Sequence, residues 1–262
     1  MNTAHRVCAT VEYEGTRFSG FQRQADVRTV QGALEAAIGA STAVFTTVKG
    51  AGRTDAGVHA VGQVVSFLTP TDMDDVVLRK AINAHLPVDV VITELSTASI
   101  DFDPQRDAIA RVYEYRIDQR PTRPAIERRR SWHLTQLLDL ERMRTVAECL
   151  VGTHDFFAFT TGRQVNTRRE IYAIEMWRVG SSVFIQISAN AFLYRMVRRI
   201  VDTLVRAGQA EIDVADVEEI LRFSLRVRVK GTAPAHGLTL LRVTYSDSGS
   251  RYNEVLKEEV AV

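Results

Sequence analysis

The chain has 262 residues, enough for one large domain or two modest ones with cores of their own. Its 45% hydrophobic and 25% charged residues are those of an ordinary globular protein, and no run approaches the roughly 18 apolar residues that a membrane span needs. Basic and acidic residues nearly cancel, 33 against 32, so any surface for polyanions has to arise from local distribution of charge.

In chain order, Arg6 to Tyr13 reads as a strand, with Val7, Ala9 and Val11 on one face. A loop follows from Glu14 to Gln24, broken by Gly15 and Gly20. From Thr29 the period becomes helical, with Val30, Leu34, Ala37 and Ile38 on one side. Ala43 to Lys49 is expected as a strand, Gly50 to Gly57 as a glycine-punctuated loop and Val61 to Phe67 as another strand. A short helix over Val76 to Asn83 and a strand over Val90 to Leu95 complete the first half.

The second half follows the same grammar. Ala108 to Ile117 alternates like a strand, and Leu140 to Val151 is an amphipathic helix carrying Met143, Val146, Ala147 and Leu150. Tyr172 to Val179 and Val183 to Ser188 read as antiparallel strands joined at Gly180-Ser181. Helices are expected over Ala191 to Ala207 and Val214 to Phe223, then a final strand over Leu238 to Tyr245. Strands joined by hairpins favour an α+β class with mainly antiparallel sheets over a doubly wound parallel sheet. The expected organisation is an N-terminal half over residues 1–104, a C-terminal half over 105–245 and a polar tail over 246–262, suited equally to a solvated helix or a disordered end.

Met1 to Arg6 is polar and lacks the apolar stretch of a signal peptide, so a cytoplasmic protein without membrane attachment is expected. Cys8 and Cys149 lie in apolar surroundings without a metal-ligand spacing and read as reduced core thiols. Basic residues cluster at Arg128 to Arg130, Arg168-Arg169, Arg198-Arg199 and from Arg222 to Lys230, while acidic residues gather at Asp72 to Asp75 and in the tail. Each cluster suits a solvated face or one side of a basic cleft.

The densest chemical signal is Gly50-Ala51-Gly52-Arg53-Thr54-Asp55-Ala56-Gly57-Val58-His59. Its glycines let the backbone turn tightly and approach a ligand closely, with Arg53, Asp55 and His59 projecting. On composition alone it is also a turn with a capping Asp. The phosphate-cradling patterns G-x-x-x-x-G-K-[ST] and G-x-G-x-x-G are absent from it.

The run Gly52 to His59 resembles the catalytic motif of the tRNA pseudouridine synthase A family. Further resemblances follow in family order: Tyr13-Glu14-Gly15 through Gly20-Phe21-Gln22-Arg23-Gln24, Ala110 to Tyr115, Asn190 to Arg198, and Ala233 to Leu238. Phe21 stands where the family commonly has Trp, and the tail after Tyr245 carries no part of the likeness. The resemblance implies the pseudouridine synthase fold, two α/β halves flanking a central RNA-binding cleft, in a homodimer that binds tRNA. It implies Asp55 as the catalytic aspartate, Arg198 as its ion-pair partner and Tyr113 as the ring that stacks on the target uracil and takes part in proton transfer at C5. Leu238 would pack against the site, and Arg53 would enter the RNA stack where the base has left. His59 receives no chemical role.

The implied reaction breaks the N1–C1′ bond of uridine, turns the base and joins C5 to C1′, so it needs neither cofactor nor metal. A carboxylate serving as nucleophile or base has to be ionised, and a neighbouring Arg favours the charged form. Whether Asp55 attacks C1′, adds to the ring or removes the 2′ proton stays open. The target base is stacked and must be extruded, which is easiest in a loop or at a stem end; the substrate implied is the anticodon arm, tRNA positions 38, 39 and 40. Two rivals differ in class. An RNA-binding module without catalysis sits poorly with an intact Asp55, Tyr113 and Arg198. A metal-dependent or phosphate-binding hydrolase would need a Walker-type lysine or clustered ligands, whereas the six histidines are scattered along the chain.

Overall fold

The computed structural model describes residues 4–163 and 165–246, so the expectation for the tail lies, beyond Ser246, outside the described residues. Those up to Ile109 and from Arg242 onward form one compact unit, and Ala110 to Leu241 form a second. The class is α+β; His5–Tyr13 pairs antiparallel with His59–Thr69 and Val90–Ala98, Lys49–Gly50 with His59–Thr69, Ser182–Ala189 with Ala108–Asp118 and Arg168–Val179, and Gly152–Asp155 with Arg168–Val179, while Trp132–His133 pairs in parallel with Ala108–Asp118.

In the first unit β1 (His5–Tyr13) buries Val7, Ala9, Val11 and Tyr13, as its alternating apolar period requires. The chain then enters α1 (Val30–Thr42), whose first turn is capped by Thr29 Oγ1 accepting from the Gly32 N–H at 3.3 Å. The apolar stripe Val30, Leu34, Ala37 and Ile38 is fully buried, and each large member gains about 2 kcal/mol from burial. β2 (Lys49–Gly50) and β3 (His59–Thr69) bracket the Asp55 loop. After α2 (Asp75–His85), β4 (Val90–Ala98) returns beside β1, giving the order β4-β1-β3. The Asn83 side chain fastens α2 to β4 by two hydrogen bonds with Ile92, at 2.8 and 2.9 Å.

The strand expected over Ala43 to Lys49 shrinks to Lys49–Gly50. Ala43 ends α1 in the left-handed region at φ 56°, and the side chains of Val44 and Phe45 stay exposed, so their alternation has no sheet to enter. The Val48 N–H is taken by the Glu35 carboxylate at 3.0 Å instead of by a strand.

Asp103 anchors the start of β2 from outside the sheet. It pairs with Lys49 and accepts the backbone N–H groups of Gln105 (3.0 Å) and Arg106 (3.1 Å). Partial burial raises the Asp103 carboxyl, but these donors overcome that and carry it down to about 2. Its stabilising effect is therefore complete above the ordinary carboxylate range and is lost as pH falls toward about 2. Asp103→Asn is expected to flatten the dependence of Tm on pH between about pH 4 and about pH 2. An unchanged acid limb in that variant would refute the assignment.

In the second unit β5 (Ala108–Asp118, mostly within it) runs antiparallel to the later β9, and the short β6 (Trp132–His133) adds in parallel at its end. α3 (Leu140–Glu148) buries Met143, Val146 and Ala147, capped by Asp139. β7 (Gly152–Asp155), β8 (Arg168–Val179) and β9 (Ser182–Ala189) complete the order β5-β9-β8-β7, with the expected hairpin at Gly180. α4 (Met196–Gly208) packs on α3, and α5 (Val214–Phe223) opens with an Asp213–Asp216 capping box. The last strand, β10 (Leu238–Tyr245), has its first half in the second unit and its end in the first. Cys8 is buried as expected, whereas Cys149 is only half-buried at the end of α3.

α4 begins five residues later than the helical period suggests. The Asn190 carboxamide oxygen captures the Ala191 N–H at 2.7 Å, and Thr160 Oγ1 donates to the Tyr194 carbonyl at 2.9 Å. Arg195 then takes φ 61°, so residues 191–195 form a fixed loop ahead of the helix.

Candidate active site

In the first unit Asp55 sits half-buried at the centre of a loop that is held from several sides, with Arg53 exposed two residues before it. The Ala51 N–H donates to the Val64 carbonyl (2.8 Å) and the Phe21 N–H to the Thr54 carbonyl (3.0 Å). The Gly57 N–H reaches the Phe18 carbonyl (3.3 Å), and the Val58 N–H closes a turn on the Asp55 carbonyl (3.1 Å). Side chains complete the frame. Gln63 Nε2 donates to the Gly52 carbonyl at 2.7 Å, and the Tyr13 hydroxyl meets Thr54 Oγ1 at 2.8 Å in a buried contact. Burial pushes the Tyr13 phenol up to about 12 in spite of its hydrogen bonds to Thr54 and Gln63, so it stays neutral at any working pH.

The N-terminal loop and the Asp55 loop touch backbone to backbone. A Cβ on Gly15 would lie 1.9 Å from the Val58 carbonyl oxygen, so only glycine fits. Phe21, 2% exposed, lies against Gly50 and is part of this packing. His59 is 1% exposed, and its Nδ1 accepts the Gly15 N–H at 3.0 Å. An accepting Nδ1 carries no proton, so the 4.0 Å approach of Glu14 to the same nitrogen is not a hydrogen-bonded ion pair.

The second unit holds Tyr113, Arg198 and Leu238. Tyr113, on β5, is 7% exposed and meets the Phe192 ring edge-on at 5.2 Å. Arg198 lies on the first turns of α4, where its Nε donates to the Ala233 carbonyl at 2.7 Å while the Ala233 N–H returns to the Arg198 carbonyl at 3.0 Å. Tyr115, two residues after Tyr113, donates its hydroxyl to the Pro234 carbonyl at 2.8 Å. The segment from Ala233 thus leads under fixed bonds into Leu238, the buried first residue of β10. Arg53 and Asp55 share one loop, and Arg198, on α4, is bonded to Ala233 at the start of the segment that ends at Leu238.

Residues 9–105 and 146–246 match the tRNA pseudouridine synthase family. The chain belongs to that family. Similar proteins named tRNA pseudouridine synthase A come from Thermotoga petrophila (40% identical, over 92% of this chain and 99% of the relative) and Methylobacterium sp. (41%, over 91% and 97%). Another comes from Yersinia pseudotuberculosis, 39% identical over 92% of each chain. Among solved structures, an archaeal box H/ACA sRNP Nop10–Cbf5 complex matches at 9% identity and a TM-score of 0.36, over 88% of this chain and 59% of that chain. The protein is accordingly an isomerase that forms pseudouridine in tRNA. No helix among its described residues is long and apolar enough to cross a membrane.

The synthase separates two arginines that the sequence places in one basic pair. Arg199 is 6% exposed, and its guanidinium binds the carbonyls of Val229 (2.5 Å), Ala158 (3.2 Å) and Arg226 (3.4 Å). It is a structural cation, and burial lowers its pKa. Arg128, Arg129 and Arg130, by contrast, are exposed as their run suggests. Sequence reading also leaves out Tyr13, Thr54 and Gln63 as the supports of Asp55; the only hint is that Tyr13 and Thr54 fall inside quoted motifs. Thr54→Val keeps the shape but removes the hydroxyl. It is expected to cost about 1–2 kcal/mol of stability and to slow pseudouridine formation several-fold, read by Tm and single-turnover rate. An unchanged rate would show that the Tyr13–Thr54 contact does not help to place Asp55.

Proposed function

We propose that this synthase isomerises uridines at positions 38, 39 and 40 of the tRNA anticodon arm, with Asp55 as the catalytic carboxylate. The observation that carries the reading is the bracing of the Asp55 loop, which presents one carboxylate from an otherwise fixed backbone, in a chain whose motifs match the family in order. Arg198 serves as the ion-pair partner of Asp55; Tyr113 supports the extruded uracil by its ring and takes part in moving the C5 proton. Leu238 packs against the base, and Arg53 fills the gap left in the RNA stack. In the reaction the N1–C1′ bond breaks, the C5–C1′ bond forms, C5 loses a proton and N1 gains one. Every heavy atom of the base is kept and its oxidation level does not change, so the chemistry calls for no cofactor.

The enzyme acts in the cytoplasm as a homodimer, with the exposed arginines contacting phosphates that carry affinity without reading sequence. Unmodified tRNA transcripts bearing a single uridine at position 38, 39 or 40 test the specificity. Conversion of each is expected, with none in transcripts whose uridines lie only outside the anticodon arm. Conversion confined to another arm would overturn it. Sedimentation at micromolar concentration is expected to give twice the chain mass.

A further inference from the structure

Between Arg228 and β10 the chain crosses a stretch without regular structure, residues 229–234. α4 nevertheless binds its backbone at every second residue. Arg199 takes the Val229 carbonyl, Arg198 takes both polar groups of Ala233, and between them the Asp202 carboxylate accepts the Gly231 N–H. At Gly231 the fit leaves no room for a side chain. A Cβ there would stand 2.1 Å from Asp202 Oδ1, 2.3 Å from Oδ2 and 2.4 Å from Cγ. Any side chain at 231 would drive the carboxylate from its seat.

Asp202 makes no sense as a stabilising residue alone. Its Oδ2 is buried without a hydrogen-bond partner, and burial raises its pKa although Arg206, the Gly231 N–H and Arg199 oppose the shift. A half-buried carboxylate with one oxygen shielded from water and unbonded contributes less to stability than a fully paired one. What it secures is the place of the segment whose next fixed point, Ala233, holds the Arg198 Nε. Asp202 and Arg198 are four residues apart on α4 and so lie on the same face.

We propose that Asp202 is a positioning residue: seated on the Gly231 backbone, it fixes the segment 229–233 and through Ala233 sets the direction of the Arg198 guanidinium. The inference rests on the role given to Arg198 above. It predicts a specific coupling. Gly231→Ala harms the enzyme because Asp202 is there, and it is tolerated once that side chain is removed.

The test compares Asp202→Ala, Gly231→Ala, the double variant and Asp202→Asn with wild type, by single-turnover rate on an unmodified tRNA transcript, tRNA Kd and Tm. Each single alanine variant is expected to slow the reaction about tenfold, as small displacements of catalytic groups do, with Kd within about twofold of wild type. The double variant is expected to be no slower than either single one, since both break the same contact. Asp202→Asn keeps an acceptor oxygen and is expected to stay within about threefold of wild type. Multiplying effects in the double variant would overturn the contact. A fall in Tm without loss of rate, or a rise in Kd matching the loss of rate, would overturn the positioning role. Failure of the reading beneath it looks different: wild type would convert uridines outside the anticodon arm, or Arg198→Lys would match wild type, while the coupling between 202 and 231 in Tm persisted.

Discussion

Asp55→Asn is expected to bind tRNA normally and to make no measurable pseudouridine. The substitution keeps the shape of the side chain and leaves the backbone bonds of the loop in place, because these run through Ala51, Thr54, Gly57 and Val58 and the Asp55 carbonyl. What it removes is the charge and the nucleophilic or basic oxygen. Loss of a group that acts directly on the reacting atoms costs about ten-thousand-fold or more. Affinity comes mainly from phosphate contacts elsewhere, so Kd is expected to stay within about twofold. Substantial turnover by Asp55→Asn would mean that another group carries the chemistry.

Arg198→Lys is expected to lower the rate about 100-fold, or about 2.7 kcal/mol in the barrier, with a smaller effect on tRNA binding. Lys keeps a positive charge but loses the planar fork that can hold a carboxylate with two bonds. It also loses Nε, the atom that donates to the Ala233 carbonyl. The variant therefore separates charge from geometry. If a positive charge at position 198 is all that is needed, Arg198→Lys keeps most of its activity and Arg198→Met does not. If the direction of the guanidinium matters, both lose it. The readout is single-turnover rate at saturating enzyme, where weaker binding cannot imitate a slower chemical step.

How much of this was legible in the sequence follows from how far apart the partners lie. The Asp55 loop could be read because its glycines, Arg53 and Asp55 are contiguous. The bounds expected for α5 and β10, Val214–Phe223 and Leu238–Tyr245, are those found, because the apolar period of each element is local to it. The strand expected over Ala43 to Lys49 failed for a reason that periodicity cannot contain: Glu35, on the preceding helix, takes the Val48 N–H. The delayed start of α4 depends on Thr160, more than thirty residues upstream, and on a carboxamide that competes with the first helical bonds. Arg198 and Arg199 are neighbours in sequence and yet face different surroundings, because the carbonyls that bury Arg199 come from Ala158 and from Val229. Tyr13 and Gln63 support the Asp55 loop from β1 and β3, in positions that alternation marks only as core.

Pseudouridine mapping of a complete unmodified tRNA transcript, incubated in EDTA with wild type and in parallel with Asp55→Asn, tests the central claim most directly. Conversion in the anticodon arm by wild type, and none by the variant, is the result predicted. Equal conversion by both proteins, or tight tRNA binding by wild type without any conversion, would contradict it.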